Sequence, residues 1–189
     1  MSKWVLSVLV LAALACHSEP PRPLTEAELR TVLTAAALDE WGLHGVDARA
    51  QTITTGSNFD GSMTIKCEYD SDKIPNAKQP LFYISSIQIF PSAIGTDDEF
   101  AKVVEAYKTG VNRVSGRSLH EDPKLLMAGD QHYSAIMRNG QNIIGNVFVV
   151  RRGRVLHTLV ISRVYFDDPP GIQHLFQPMF AASDKFLAQ

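Results

Sequence analysis

The last third of the chain places the strongest constraint on its fold. Three runs rich in β-branched and aromatic residues lie between Gln131 and Phe166, and each is long enough for a β-strand. Asn139-Gly140 separates the first two runs, and Gly153, within "RRGR", separates the second from the third. Asn-Gly is a strong hairpin signal, because both residues adopt the positive φ angles that a tight turn requires. This region therefore predicts a three-stranded antiparallel meander.

Helices are predicted on both sides of the meander in the sequence. In "TDDEF", Thr96 and Glu99 have the spacing of a capping box. An apolar stripe of helical period follows, formed by Phe100, Val103, Val104, Tyr107 and Val111. Asp168 can cap a C-terminal helix that begins at Pro169, a position where the missing N–H is harmless. Pro178 lies inside that helix and predicts a kink or a new helix start.

Another helix is predicted to begin near Thr25. Thr25 and Glu28 in "LTEAEL" form a capping box. The apolar face of this helix comprises Leu29, Val32, Leu33 and Ala36. We expect the helix to end near Trp41-Gly42.

Three further strands are predicted between the first two helices. The pattern is weak over residues 46–55 and clear over residues 62–70, where Cys67 falls on the apolar face. The run Leu81–Phe90 is apolar on both faces, which predicts a central strand covered on both sides. Free cysteines are usually buried, so we expect Cys67 to be an inert core thiol.

The predicted order is helix, strands, helix, meander, helix. This order is typical of the α+β class, in which helices pack on an antiparallel sheet. We therefore expect residues 24–189 to form a single α+β domain, with a mainly antiparallel sheet covered by helices. The chain left after removal of an N-terminal leader is long enough to bury a sizeable core.

The first fifteen residues resemble a signal peptide. Lys3 precedes an apolar run, Val5–Ala15, that is too short to span a membrane. Ala13-Leu14-Ala15 fits an ordinary signal-peptidase site, whereas "LAALAC" resembles a bacterial lipobox, whose cysteine is acylated. We favour the lipobox interpretation, which makes residues 1–15 a signal peptide and Cys16 the site of lipidation.

A lipid on Cys16 would anchor the protein to the bacterial cell envelope. Residues 16–23 are proline-rich and form a tether of about 20 Å, so the domain should remain close to the membrane. His17, rather than Asp, follows the cysteine. By resemblance to the bacterial sorting rule, this favours the outer membrane if the cell is Gram-negative.

Charge and cysteine content narrow the function further. The full chain has 18 basic and 20 acidic residues. Because Lys3 is lost with the leader, the mature chain has a net charge of −3. Such a balance gives no support for nucleic-acid binding. If Cys16 is acylated, Cys67 has no disulfide partner; if it is not, a Cys16–Cys67 bridge is the alternative.

No catalytic or metal-binding motif is recognisable in the sequence. HExxH, CxxC, GxSxG and P-loop patterns are all missing. The compact trio His120-Glu121-Asp122 is interpreted as a solvated loop rather than a metal site, and Asp70-Ser71-Asp72 as a turn. His132 and His157 lie on predicted strands that could be neighbours, but their spacing specifies no ligand set. We therefore predict no catalytic, cofactor-binding or metal-binding residues.

Three arginines form the one basic cluster with a candidate role. Arg151, Arg152 and Arg154 lie at the predicted hairpin turn around Gly153. They could contact anionic lipid headgroups or an acidic partner protein; the alternative is an ordinary solvated turn. Because we expect the side chains to be exposed, replacing all three with glutamine should leave the fold intact.

Part of the sequence resembles the PsbP/DcrB-like fold, an α-β-α sandwich found in thylakoid-lumen photosystem proteins and in bacterial envelope lipoproteins. The resemblance is carried by "IQIFPSAIGTDDEFAKVVEAY", "AGDQHYSAIMRNG", "NVFVVRRGRVLHTLVISRVYFDDPP" and the closing "FQPMFAASDKFL". It covers roughly residues 80–187. It implies an α-β-α sandwich with an accessory or binding role, and it supplies no catalytic residues.

Three functions follow from these observations, in order of preference. The first is a non-enzymatic, membrane-anchored envelope lipoprotein that binds a protein partner or supports an assembly. The second is a small-ligand-binding or sensor domain with an apolar pocket between sheet and helix, lined by residues such as Phe82, Phe148 or Phe176. The third is an envelope hydrolase of unrecognised type, which a converging Ser/His/Asp or metal cluster would indicate.

Overall fold

A computed structural model describes residues 23–40, 43–75, 77 and 80–188 of the chain. Seven strands form one sheet in the order β1-β2-β3-β7-β6-β5-β4, and every neighbouring pair is antiparallel. The strands are β1 (Gln51–Ser57), β2 (Met63–Asp70), β3 (Phe82–Ile89), β4 (Arg117–Glu121), β5 (Gln131–Asn139), β6 (Asn142–Arg152) and β7 (Val155–Ser162). The α-helices are α1 (Glu26–Leu29), α2 (Ala35–Glu40), α3 (Thr96–Asn112) and α4 (Pro169–Leu187).

The predicted meander is confirmed as β5, β6 and β7. Asn139 pairs with Asn142 across the first hairpin, and Arg152 pairs with Val155 across the second. Gly140 and Gly153, at the two turns, have φ angles of 58° and 54°. The turn glycines therefore adopt the left-handed conformation that their sequence context predicts.

The two faces of the sheet carry separate apolar clusters. On the first face, α1, α2 and α4 pack over a core that includes Tyr83, Phe148 and Leu159. On the second face, α3 packs over β4 to β7 through Val104 and its neighbours, against residues such as Val147. Alternation along each strand sends successive side chains to opposite faces, which is why β6 contributes to both clusters.

The predicted α-β-α sandwich of the PsbP-like type, with helices covering the sheet, is wrong. The structure is built on one seven-stranded antiparallel sheet, and α3 covers only the half of the second face formed by β4 to β7. On the β1–β3 half of that face, Thr64, Lys66 and Ser86 are only half-buried, and no described helix packs over them. Alternation in β2 and β3 places polar residues on this face, so a helix would find little apolar surface to bury.

For the same reason, β3 is not the doubly covered strand that its apolar composition predicts. Tyr83, Ile87 and Ile89 are buried on the first face, whereas Ile84 and Gln88 on the second face remain partly exposed. β3 is one-sided, although it lies near the middle of the sheet.

The first predicted helix is interrupted. The capping box of Thr25 and Glu28 is confirmed, but α1 ends at Leu29 and α2 begins only at Ala35. Between them, the backbone N–H of Leu33 donates to Ser85 Oγ at 2.8 Å, and that of Ala35 donates to the Gln51 side chain at 2.9 Å. These long-range bonds replace intrahelical ones, so the chain docks on the sheet instead of continuing as a helix.

The N-terminus of α3 differs from the prediction, whereas that of α4 agrees with it. Gly95, with φ 81°, occupies the N-cap of α3, so the capping box predicted for Thr96 is wrong. The hydroxyl of Thr96 instead faces two backbone carbonyls, that of Ala93 at 2.8 Å and that of Gly153 at 3.2 Å. Asp168 caps α4 as predicted, by accepting from the N–H of Gly171 at 3.0 Å, and α4 continues through Pro178 without a new start.

Candidate functional site

The predicted arginine cluster lies at one end of the sheet. In the strand register, Met63 pairs with Ile89, Ile89 with Val155, and Val155 with Arg152. This row places the loops 58–62, 90–95, 122–130 and 153–154 together, and we call them the Gly153 end. The loops around residues 113–116, 140–141 and 163–168 lie at the opposite end.

Arg151 is not free for an external contact. Its side chain is 15% exposed, with Nη2 2.9 Å from Asp97 Oδ1 and Nη1 3.4 Å from Asp130 Oδ2. Its Nε also donates to Gln131 Oε1 at 2.9 Å. Arg151 therefore connects the first turn of α3, the loop before β5 and β5 itself.

Arg152 connects the sheet to α4. Its side chain is 26% exposed, and Nη1 lies 2.7 Å from Asp184 Oδ1. The same nitrogen donates to the carbonyl of Phe180 at 3.1 Å, and the guanidinium lies 4.9 Å from the centre of the Phe180 ring. An ion pair, a hydrogen bond and a cation–π contact thus fix the side chain.

Arg154 differs from the other two arginines. Its Nη1 donates to the carbonyl of Phe90 at 2.8 Å, and no described carboxylate forms an ion pair with it. The side chain is half-buried. The predicted contact with headgroups or an acidic partner stays a prediction, and within the cluster Arg154 is the residue whose charge is not already paired.

Cys67 lies in the core of the first face, as its position in β2 predicts. Its thiol is 3.8 Å from Tyr83 Oη and 3.7 Å from Gln51 Oε1. Burial raises the pKa of the Cys67 thiol to about 11, and burial also raises the pKa of Tyr83. A thiol that stays protonated and enclosed is a poor nucleophile.

His157 is fully enclosed between β7 and α4. Its Nε2 lies 3.1 Å from Ser183 Oγ, and its ring packs edge-on against Phe180. Burial, with a smaller contribution from Arg152, lowers the pKa of His157 to about 3. Ser183 donates its hydroxyl proton to the carbonyl of Phe180, and no carboxylate completes a catalytic arrangement among the described neighbours of this pair.

The other candidate ligand groups are dispersed or occupied. His132 and His157 each pair with Val150, from opposite sides, so one strand separates them. Arg163 bridges Asp70 and Asp72, at 3.2 Å and 2.5 Å, which gives that turn an internal cation. Within the described part of the chain, no three His, Cys, Asp or Glu side chains are arranged to hold a metal ion.

A cleft of about 480 Å³ opens between the α1–α2 segment, β1 and α4. Its apolar walls include Leu29, Leu33, Ile53, Leu175 and Met179. The segment that contains the interruption between α1 and α2 forms one wall of this cleft, and its hydrogen bonds to Ser85 and Gln51 hold that wall in place. The volume falls in the range of small-molecule sites.

The rim of the cleft is polar. Arg30 and Glu26 form an exposed ion pair at 2.7 Å, and both line the cleft together with His174 and Pro178. Proline has no N–H, so the carbonyl of His174 lacks its usual partner four residues further along α4. The cleft therefore combines an apolar interior with charged groups at its edge, next to the turn of α4 that Pro178 leaves one hydrogen bond short.

The aromatic residues predicted to line a pocket lie elsewhere. Phe148 and Phe176 are fully buried and contact each other edge-on, with ring centres 5.6 Å apart. Phe82 is half-buried on the second face. The cleft escaped prediction because one of its walls is the segment that contains the α1–α2 interruption, although Pro178 within an apolar helix was a visible signal of an irregular wall.

The predicted leader, residues 16–22 of the predicted tether and the predicted lipidation site Cys16 lie outside the described residues, which begin at Pro23. Within those residues, no helix combines the length and the apolar character needed to cross a membrane.

Comparisons with known proteins give little further information. No protein-family model matches the chain, and no curated protein matches it. The chain is similar in structure to the extracellular domain of PknH from Mycobacterium tuberculosis, at 8% identity and a TM-score of 0.47, over 89% of this chain and 99% of that domain. A likeness at this TM-score supports no conclusion about fold family or function.

Proposed function

We propose that the protein is an exported bacterial lipoprotein, anchored to the cell envelope by lipid on Cys16, that works by binding a partner protein. One observation carries this proposal: "LAALAC" lies at signal-peptide distance from Met1 and is followed by a proline-rich tether. If the cell is Gram-negative, the outer membrane is the favoured location, because His17 rather than Asp follows the cysteine.

A binding role is supported by the state of the reactive side chains. The thiol of Cys67 is enclosed and protonated, and the imidazole of His157 is enclosed and neutral at physiological pH. Nucleophilic and acid–base chemistry require groups that a substrate can reach. Both groups instead contribute to the packing of the core.

The anchoring proposal is tested by metabolic labelling with a palmitate analogue. We expect label on the wild-type protein, none on Cys16→Ser, and full label on the control Cys67→Ser, which also removes a thiol. Cys16→Ser should move the protein from the membrane fraction to the soluble envelope fraction. An unlabelled wild-type protein would contradict the proposal.

The cleft favours a second candidate function, the binding of a small amphipathic ligand. Its apolar walls would hold a hydrocarbon or aromatic body, while Glu26 and Arg30 at the rim would contact a polar head. This function is compatible with lipid anchoring, since an envelope lipoprotein can present such a site to its compartment.

Ligand binding in the cleft is tested with N-phenyl-1-naphthylamine, whose fluorescence rises in apolar surroundings. The measurement uses the Cys16→Ser background, so that no acyl chain competes for the probe. Ala36 lines the cleft, and Ala36→Trp should fill part of it and weaken binding about tenfold or more. Ala106 is exposed on α3, away from the cleft, and Ala106→Trp should leave binding unchanged. Equal binding by both variants would exclude the cleft as the site.

A further inference from the structure

Three large apolar side chains are exposed at the Gly153 end. Phe59, Ile94 and Met127 have relative exposures of 115%, 91% and 70%. Each lies on a different loop: Phe59 between β1 and β2, Ile94 between β3 and α3, and Met127 between β4 and β5. The other strongly exposed large apolar residues of the described chain, Val114 and Tyr165, lie at the opposite end of the sheet.

These loops form a row along the end of the sheet. Four strand-to-strand steps separate β2 from β5 in the sheet order. At about 4.8 Å per step, the row is about 19 Å long. The three apolar side chains are therefore separate projections rather than the wall of one pocket.

The loops that carry these side chains are held to the sheet by hydrogen bonds at their bases. The backbone N–H of Asn58 donates to the carbonyl of Ser62 at 2.8 Å, which closes the β1–β2 turn around Phe59. Arg154 holds the carbonyl of Phe90 at 2.8 Å, and the N–H of Asp130 donates to the carbonyl of Arg151 at 2.8 Å. Phe59, Ile94 and Met127 are thus presented to solvent by an ordered end of the domain, where their apolar surface remains available for burial against another apolar phase.

We propose that the Gly153 end docks on the lipid bilayer, with Phe59, Ile94 and Met127 inserted at the boundary between headgroups and acyl chains. The inference rests on the proposed membrane anchoring, since the tether predicted from the sequence, about 20 Å long, would keep the domain within reach of that surface. A fluid bilayer accepts separate projections at any spacing, whereas a protein partner would need a matching pocket for each.

The charges around Phe59, Ile94 and Met127 indicate that the Gly153 end would be attracted to the bilayer by apolar contacts rather than by electrostatic ones. Lys124 and Arg154 lie at this end together with Asp60, Asp98 and Asp122, while the other two arginines are paired within the chain. A mixed surface of this kind gives no net attraction to anionic lipid. Docking should therefore occur on neutral lipid and persist in about 0.5 M salt, where exposed charges are screened.

The test measures tryptophan quenching by lipid. Full-length lipidated protein is reconstituted into phosphatidylcholine vesicles with or without bromine on the acyl chains. Phe59→Trp, Ile94→Trp and Met127→Trp are each compared with the parent protein, and the difference gives the signal of the new indole. We expect bromolipid to quench that signal by about half or more at all three positions. Tyr165→Trp, a matched exposed position at the opposite end, should not be quenched.

Quenching at Tyr165 equal to that at the tips, or quenching at none of them, would overturn the docking proposal. Palmitate-analogue labelling of the same preparations distinguishes the docking proposal from the anchoring proposal. Labelled protein without quenching at positions 59, 94 and 127 would contradict docking but not anchoring. Unlabelled protein would contradict anchoring. In cells, a photocrosslinking residue at position 59 should capture lipid. Capture of a protein in place of lipid would also overturn the proposal.

Discussion

Replacing Arg151, Arg152 and Arg154 together with glutamine should destabilise the fold substantially. From the sequence alone, these side chains are expected to be solvated and dispensable for folding. In the structure, each guanidinium is bound to a different part of the chain, so the triple change removes contacts between elements. The free energy of unfolding is therefore the quantity to measure.

The contribution of Arg151 to the free energy of unfolding follows from the contacts that its side chain makes. Glutamine in its place would abolish two ion pairs and leave Gln131 Oε1 without its donor. Breaking a fully buried pair costs about 3–5 kcal/mol, but Asp97 and Asp130 are exposed enough for water to replace the arginine. We therefore expect about 1–2 kcal/mol from this position.

Arg152 contributes a similar amount to stability, and Arg154 contributes less. Arg152→Gln would remove the ion pair with Asp184 and both contacts with Phe180, at a cost of about 1–2 kcal/mol. Arg154→Gln would remove one hydrogen bond to the carbonyl of Phe90, at a cost of about 1 kcal/mol. If the positions act independently, the triple variant loses about 3–5 kcal/mol of the 5–15 kcal/mol typical of a folded domain.

Urea denaturation followed by circular dichroism measures this loss. With a slope of about 2 kcal/mol per molar urea, the midpoint should fall by about 1.5–2.5 M. The matched control replaces Arg30, Arg49 and Arg113, which are exposed, with glutamine. It removes the same charge and should lower the midpoint much less than the hairpin variant does. Equal midpoints for the two triple variants would refute the assignment of structural contacts to the hairpin arginines.

Local patterns predicted the elements better than their packing. The meander followed from Asn139-Gly140 and Gly153, because turn chemistry and strand period act over a few residues. The Asp168 cap and the apolar stripe of α3 also followed from spacing alone. Such features depend on neighbouring residues, which the sequence displays directly.

Long-range contacts explain where prediction failed. The break between α1 and α2 depends on bonds to Ser85 and Gln51, which lie far away in sequence. β4 was missed because its residues are mostly polar and exposed, and it exists through pairing with β5 at the sheet edge. The sandwich expectation failed because the second face of β2 and β3 is too polar to attract a second helical layer.

The candidate sites were predicted least well. The hairpin position of Arg151 and Arg152 was correctly predicted, but their partners Asp97, Asp130 and Asp184 come from three separate segments that spacing cannot bring together. An arginine at a hairpin tip is solvated in isolation and becomes structural only when such segments fold over it. Tertiary placement thus decides whether a charged residue is available for binding or is part of the scaffold.

Three further predictions test the physical account of the fold. Gly129→Ala should cost about 3 kcal/mol or more in a urea titration, because φ is +71° and a Cβ would collide with the carbonyl of Arg151 and the side chain of Val150. Cys67 should react with a thiol reagent only as fast as the domain opens, since its pKa is raised to about 11 in a buried site; rapid labelling in buffer would contradict this assignment. Lastly, the unfolded chain protonates His157 below about pH 6.5, whereas burial lowers the folded-state pKa to about 3. As the pH falls between these values, the proton binds only to the unfolded state, so stability should decrease by up to about 1.4 kcal/mol per pH unit, and His157→Gln should remove that part of the slope between pH 6 and pH 4. Parallel pH profiles for the variant and the wild type would show that the imidazole is not held neutral by the fold.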